Sequence, residues 1–174
     1  MKNKMIICAA MAALVLALSI GCGATGCGTR LTDEELAMQG LERVITAINN
    51  KDKAALKALF SEQANTEEPN IDGQIDELFP FFETEIVRWE FAAGGPNTVE
   101  NINGGTETLR LITRFYVYTD TQEYQFFLLE WPIEKIEPKN KGLYALQVQL
   151  KADEDTISFK RKAGITLFLA DETA

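Results

Sequence analysis

Histidine is absent from this chain of 174 residues. Histidine is the commonest general base near neutral pH and the commonest transition-metal ligand in proteins, so both roles fall to other side chains. Any acid–base chemistry would have to use aspartate, glutamate, tyrosine or lysine. We therefore expect no metal site and no cofactor, and catalysis is not the favoured function.

Cysteine is confined to three positions near the N-terminus, Cys8, Cys22 and Cys27. The rest of the chain contains none, which excludes a disulfide framework for the folded domain. The domain must therefore derive its stability from a hydrophobic core, and the chain is long enough to form one.

Basic residues are in the minority, with 17 Lys and Arg against 26 Asp and Glu, and the formal net charge is -9. A surface with this excess of negative charge repels the phosphate backbone of nucleic acids. Nucleic acid is therefore not expected as a partner.

The first 21 residues have the pattern of a signal peptide. Two lysines precede an uncharged apolar run from Met5 to Ile20, and small residues follow. The run ends in Leu-Ser-Ile-Gly-Cys, which resembles the lipobox of bacterial lipoproteins, where a lipidated cysteine becomes the first mature residue. That family usually has Leu three positions before the cysteine, where this chain has Ser19.

Cys22 is the expected lipidation site because it directly follows the apolar run, and Cys27 is the alternative. A diacylglyceryl group at Cys22 would bury two long acyl chains and anchor the protein permanently. The expected organisation is a signal peptide at 1–21, a lipid-anchored tether at 22–31 and a single domain at 32–174. The expected location is the extracytoplasmic face of the cell membrane.

Helices are predicted at the start of the domain. Thr32 and Glu35 form a capping-box pattern, and an apolar stripe at helical spacing extends to Ile48. Asp52 is the expected N-cap of a second helix, AALKALF. Residues 61–70 are polar and contain a proline, so they are predicted to be a loop. A third helix is predicted to start near Asp72.

Strands are predicted in the remainder. The strongest pattern is at 109–133, LRLITRFYVYTDTQEYQFFLLEWPI, where two aromatic and β-branched runs flank a polar break, as in a long hairpin. Helices followed by strands favour an α+β fold, with three helices on a curled antiparallel sheet of four to six strands. The predicted strands are 85–92, 98–103, 106–119, 122–133, 143–152 and 165–169.

Five segments carry a resemblance to a known family: NNKDKAALKALFSEQA, IDELFPFFE, IVRWE, YQFFLLEWPIE and GLYALQV. They resemble small Gram-positive bacterial lipoprotein domains of unknown function. That family is similar in fold to the nuclear-transport-factor-2 and ketosteroid-isomerase group, which implies a cone of curled sheet over helices. The resemblance covers most of residues 32–150, and its motifs are packing patterns.

Folds of this group often hold a pocket between the sheet and the helices, and ketosteroid isomerases use carboxyl groups and a tyrosine there. No pair of side chains in this sequence can be assigned to that site, so no catalytic residue is predicted. The residues of the right chemistry are Tyr116, Tyr118, Tyr124, Tyr144, Glu85, Glu90, Glu123 and Glu130.

The strand from Leu109 to Tyr118 alternates between two faces. Leu109, Leu111, Thr113, Phe115 and Val117 form the expected core face. The opposite face places guanidinium groups beside aromatic rings and is the best candidate for a partner or an anionic ligand. Its candidate residues are Arg110, Arg114, Tyr116 and Tyr118.

Two tryptophans, Trp89 and Trp131, are flanked by charge or proline and are expected in the core or at its rim. A sugar-stacking role stays open for them, although no spacing indicates it. The sequence therefore favours a membrane-anchored, extracytoplasmic binding domain for a small molecule or a protein. One alternative is a small isomerase- or hydrolase-like enzyme that uses a carboxylate and a tyrosine, and another is a structural interaction protein of the cell envelope.

Overall fold

The computed structural model of the chain describes residues 30–92, 94–103, 106–153 and 158–168. All the helices and strands described here belong to one compact unit that begins at Leu31. The expected signal peptide, Cys22 and Cys27 lie outside the described residues.

Within those ranges, four helices precede the strands and contribute one side of the hydrophobic core. The predicted count of three was wrong, because the polar segment 61–70 contains a short helix. Ser61 caps it by accepting a hydrogen bond from the backbone N–H of Ala64 at 3.1 Å, and Pro69 lies beyond its end. The helices are α1 (Asp33–Asn49), α2 (Lys53–Leu59), α3 (Glu62–Glu67) and α4 (Ile71–Phe81).

The first helix begins at the predicted capping box. The Thr32 hydroxyl accepts a hydrogen bond from the Glu35 backbone, and the Glu35 carboxylate accepts one from the Thr32 backbone at 2.7 Å. At its other end, Asn49 both donates to and accepts from the backbone of Ile86, each at 2.9 Å. Helix α1 is thereby fastened to the start of the first strand.

Six strands of the described chain form one curled, open sheet. Its order is β1-β3-β4-β5-β6, and β2 also pairs with β3, so β1 and β2 lie one after the other along the same edge of β3. The predicted long hairpin is confirmed as β3 and β4. The strands are β1 (Ile86–Phe91), β2 (Asn97–Asn103), β3 (Thr106–Thr119), β4 (Glu123–Glu134), β5 (Gly142–Leu150) and β6 (Gly164–Phe168).

The prediction of a purely antiparallel sheet was wrong at its last strand, since β6 pairs parallel to β5. A parallel neighbour requires a connection that returns across the sheet to the end where the previous strand began. The described part of that connection lies on the sheet face away from the helices. There Phe159 stacks on Phe127 with ring centroids 5.4 Å apart, and the Lys160 backbone donates to the Gln147 side chain at 3.0 Å.

Side chains of the helices and of the sheet fill the space between them. On the sheet side, the predicted core face of β3 is buried along its whole length, from Leu109 to Val117. Facing it are apolar side chains of all four helices, and Phe82 lies between the rings of Tyr124 and Phe126. The fully buried helical side chains include Leu41, Leu56, Ala64, Ile71, Ile75 and Leu78.

The double hydrogen bond of Asn49 yields a direct test of how α1 is fastened to β1. Replacement Asn49→Ala removes both bonds and leaves the N–H and C=O of the buried Ile86 without these partners, which is expected to lower the free energy of unfolding by about 2 kcal/mol. Urea unfolding of the full chain measures the loss. Gln39→Ala, at an exposed position of the same helix, is the matched control and is expected to change little. Equal stabilities of the two variants would contradict this role of Asn49.

Candidate functional site

The four predicted residues on the outer face of β3 all point away from the helical core, but they do not form one site. We use outer face for the side of the sheet opposite the helices. Arg110 and Tyr118 are eight residues apart, which corresponds to roughly 26 Å along a strand. Tyr116 and Tyr118 lie at the end near the β3–β4 turn, and Arg110 lies at the other end.

The turn end of the outer face carries a cluster that also contains residues of β1. Tyr118 donates a hydrogen bond to Glu90 Oε1 at 2.6 Å, and the Arg88 guanidinium lies 3.6 Å from the centre of the Tyr118 ring. Arg88 also donates to Glu90 Oε2 at 3.2 Å. These contacts follow from the strand register, which pairs Arg88 with Tyr118 and Glu90 with Tyr116.

A lysine completes this cluster from the other side of the hairpin. The Lys151 ammonium lies 4.5 Å from the Tyr116 ring centre and 5.4 Å from that of Tyr118, and it donates to Glu123 at 2.8 Å. The hydrogen bond to Glu123 raises the pKa of Lys151. On the acidic side, the hydrogen bond from Tyr118 is the main cause that lowers the pKa of Glu90. Both shifts favour the charged forms of Lys151 and Glu90.

Four side chains of the cluster border a surface depression of about 790 Å³ at the turn, namely Arg88, Tyr118, Glu123 and Lys151. Its cations are matched by carboxylates, so it is not a site for a simple anion. Tyrosine and arginine held in fixed positions are instead the side chains that contribute most to protein–protein binding energy. The lining residues are Val87, Arg88, Tyr118, Thr119, Asp120, Thr121, Gln122, Glu123, Lys151 and Ala152.

The middle of the outer face is covered by the connection to β6. Beneath it, Gln147 donates to Gln149 at 2.9 Å and Gln149 donates to Gln125 at 3.1 Å, and all three side chains are buried. Arg114 lies over Phe127, with its guanidinium carbon 5.9 Å from the ring centre. This cover separates the two exposed ends of the face.

Sequence reasoning identified Tyr116 and Tyr118 but missed Arg88 and Lys151. Glu90 and Glu123 appeared only among the carboxylates considered for catalysis. The missing signal was the register of β1 on β3, since the pattern of one strand does not show which residues lie beside it.

The tyrosines and carboxylates considered for a pocket enzyme are distributed over the domain. Tyr118 hydrogen-bonds Glu90, and Tyr144 hydrogen-bonds Glu67 of α3. Tyr124 lies in the aromatic core and donates to the Phe81 carbonyl at 3.4 Å. Within the described ranges, no hydrogen bond joins a tyrosine to Glu130, the buried carboxylate of β4.

Glu130 lies between the sheet and helix α1, and only 3% of its surface is exposed. It fits there because Gly40 has no side chain, since a Cβ at that position would lie 2.7 Å from Glu130 Oε2 and 2.8 Å from Cδ. Arg43 Nη2 approaches Glu130 Oε2 to 3.8 Å, and Glu130 Oε1 accepts no hydrogen bond from the described residues. Burial raises the pKa of Glu130 to about 7, although the charge of Arg43 acts in the opposite direction.

Two further observations apply to the described residues alone. None of their helices is long and apolar enough to cross a membrane. In the same ranges, no group of three or more cysteine, aspartate or glutamate side chains is placed to hold a metal ion.

The described residues form an α+β domain in which helices pack on one side of an open, mixed sheet of six strands. The other side of the sheet carries charged and aromatic side chains. The chain belongs to a family described as a domain of unknown function (DUF5104), which matches residues 43–157. The matched range includes Arg88, Tyr118, Glu130 and Lys151. Comparison with the curated proteins found no match.

The raised pKa of Glu130 predicts an unusual dependence of stability on pH. Because an unfolded glutamate titrates near 4.5 and the folded one near 7, the folded state holds the extra proton between these values. The contribution of Glu130 to the free energy of unfolding is therefore fully present below pH 4.5 and is lost as the pH rises through 7. At about 1.4 kcal/mol per pKa unit, the loss is at most about 3.5 kcal/mol.

The variant Glu130→Gln removes the charge with little change of shape. It is expected to be more stable than the parent at pH 8 and to lose that advantage at pH 5, as measured by urea unfolding at both values. Glu77→Gln, at an exposed position of α4, is the matched control. An advantage of Glu130→Gln that is the same at both pH values would contradict a buried, titrating carboxyl group.

Proposed function

We propose that this chain is a membrane-anchored extracytoplasmic lipoprotein whose domain binds a partner through the turn end of its outer face, without catalysis. The observation that carries the proposal is the cluster of Arg88, Glu90 and Tyr118, joined by Lys151, at the border of a 790 Å³ depression. Side chains that neighbours already hold in place lose little conformational freedom on binding, which favours recognition.

The filled interior supports binding at the surface over a pocket enzyme. A pocket of the ketosteroid-isomerase kind would lie between helices and sheet, where large side chains such as Phe115 and Phe126 are fully buried. Glu130 has the raised pKa expected of an acid–base residue, but it lines neither the depression at the turn end nor four others of the described residues. The finer fold proposal, a nuclear-transport-factor-2-like cone, is supported by four helices lying on a curled sheet.

The proposal of a Gram-positive lipoprotein is supported by the sequence before the domain. Cys22 follows an apolar run and small residues, and the compact unit begins at Leu31. A short Gly- and Thr-containing segment between them would keep the domain close to the membrane surface. A partner of this domain would therefore be an envelope protein or a molecule outside the cytoplasm.

Anchoring is tested by comparing Cys22→Ala with Cys27→Ala in cells that process lipoproteins. Cys22→Ala is expected to leave an unprocessed precursor or to release the protein from the membrane fraction, whereas Cys27→Ala is expected to stay anchored. Membrane fractionation and metabolic labelling with a palmitate analogue measure both. If Cys22→Ala is still labelled and Cys27→Ala is not, the anchor is at Cys27. If neither the parent nor the two variants are labelled, anchoring is refuted.

Partner binding is tested by in-cell photo-cross-linking from defined positions. A photoreactive amino acid in place of Tyr116 is expected to give a discrete adduct, which Arg88→Ala should abolish because it disrupts the neighbouring cluster. The same amino acid in place of Thr46, exposed on α1, is the matched control and should give none. Adducts from position 46 alone, or adducts from 116 that persist in Arg88→Ala, would contradict binding at the turn end.

A further inference from the structure

The other end of the outer face holds a second, smaller depression of about 320 Å³. It lies across three neighbouring strands and is closed on one side by the loop after β4. Its residues are distinct from those of the turn end, and the cover over Phe127 lies between the two. The lining residues are Val99, Asn101, Thr108, Arg110, Trp131, Glu134, Ile136, Glu137 and Asn140.

An irregularity in β4 directs Trp131 into this depression. Leu111 pairs with Glu130 and Leu109 pairs with Ile133, so the β4 strand has one more residue than β3 over this stretch. Such a bulge commonly re-aims a side chain beside a binding site. Tyr144 packs against the indole at 5.8 Å between ring centres, nearly perpendicular to it, and the indole is only half-buried.

Glu134 is a buried, oriented hydrogen-bond acceptor in the same place, with 8% of its surface exposed. Its Oε1 accepts hydrogen bonds from the backbone N–H groups of Ile136 at 2.7 Å and Glu137 at 2.8 Å. The Thr108 hydroxyl donates to the same oxygen at 3.4 Å. These bonds fix the loop and the carboxylate together and leave Oε2 for a further donor.

Arg110 supplies a donor that lacks a partner. Its Nε is buried from solvent and makes no hydrogen bond within the described residues. Arg110 also lines the depression, so a ligand oxygen there can accept from its guanidinium group. The depression therefore combines a guanidinium donor, a carboxyl acceptor held in place by hydrogen bonds and an aromatic ring within one small space.

We propose that this depression binds a short saccharide, with one sugar ring stacked on Trp131 and its hydroxyls bonded to Arg110 and Glu134. Sugar hydroxyls both donate and accept, which matches the mixed lining, and the C–H face of a sugar ring is apolar enough to pack on an indole. A phosphate or carboxylate ligand fits less well because Glu134 and Glu137 repel it. The volume is at the lower end of the range of about 300–1,000 Å³ for small-molecule sites.

The test uses the full chain in lauryldimethylamine oxide, a detergent without a sugar headgroup. The probes are glucose, galactose, N-acetylglucosamine and the β-1,4-linked dimer of N-acetylglucosamine, read by saturation-transfer NMR. At least one is expected to bind with a millimolar or tighter dissociation constant. In a Trp89→Phe background, the same sugar should change the fluorescence of Trp131.

Arg110→Ala and Trp131→Ala are expected to weaken binding at least tenfold, which corresponds to about 1.4 kcal/mol. Arg114→Ala, at an exposed position of the same strand, is the matched control and should bind like the parent. Trp131→Phe keeps an aromatic ring and should retain part of the affinity for the sugar. That result would attribute the weaker binding of Trp131→Ala to loss of the ring and not to misfolding. Tighter binding of the dimer than of the monomer assigns the ligand to a glycan chain, and equal binding assigns it to a free sugar.

Three results would overturn the proposal. One is the absence of binding by every sugar at millimolar concentration, and another is equal weakening by Arg110→Ala and Arg114→Ala. The third is a response of Trp131 fluorescence to sodium acetate or inorganic phosphate but not to the sugars, which would make the depression an anion site. None of these results depends on the partner proposed for the turn end, because they are read on the purified chain.

Discussion

The parallel pairing of β6 with β5 is the constraint that shapes the outer face of this domain. Because β6 runs in the same direction as β5, the chain must return across the sheet between them. Phe159 and the backbone of Lys160 then cover Phe127 and three buried glutamines. What stays exposed is a cluster at the turn end and a depression at the opposite end, and these are the two places where we propose binding.

The interior is constrained by the close approach of α1 to the sheet. Gly40 lets the helix come near enough for Glu130 to fill the remaining space, and Arg43 is the only cation within salt-bridge distance among the described residues. A buried carboxyl group of this kind costs stability when it is ionised. Its position between packed elements, with Oε1 unbonded, makes the α1–β4 contact the part of the core most sensitive to pH.

Much of the fold followed from local sequence. The capping box at Thr32, the apolar stripe of α1 and the alternation along β3 each reflect a rule that acts over a few residues, and each was confirmed. Helix α3 was missed because its polar composition hides a single buried residue, Ala64. The direction of β6 was missed because strand composition does not encode which way a strand runs.

The candidate site was less predictable for the same physical reason. Tyr116 and Tyr118 could be chosen from the pattern of one strand, but Arg88 and Lys151 reach them only through pairing with β1 and β5. Likewise, Trp131 lies near Arg110 because of a bulge in β4. Strand register and bulges depend on the whole sheet, so they cannot be predicted from the sequence pattern of separate segments.

The central claim is that this domain binds at its outer face while its interior is closed. The most direct measurement is a map of backbone amide shifts in the isotope-labelled full chain when solubilised cell-envelope material from its own host is added. We expect shifts in β1 and the β3–β4 turn, or around Trp131 and the loop after β4. Shifts centred on α1, α2 and the buried face of β4 would show an interior site and would contradict binding at the outer face.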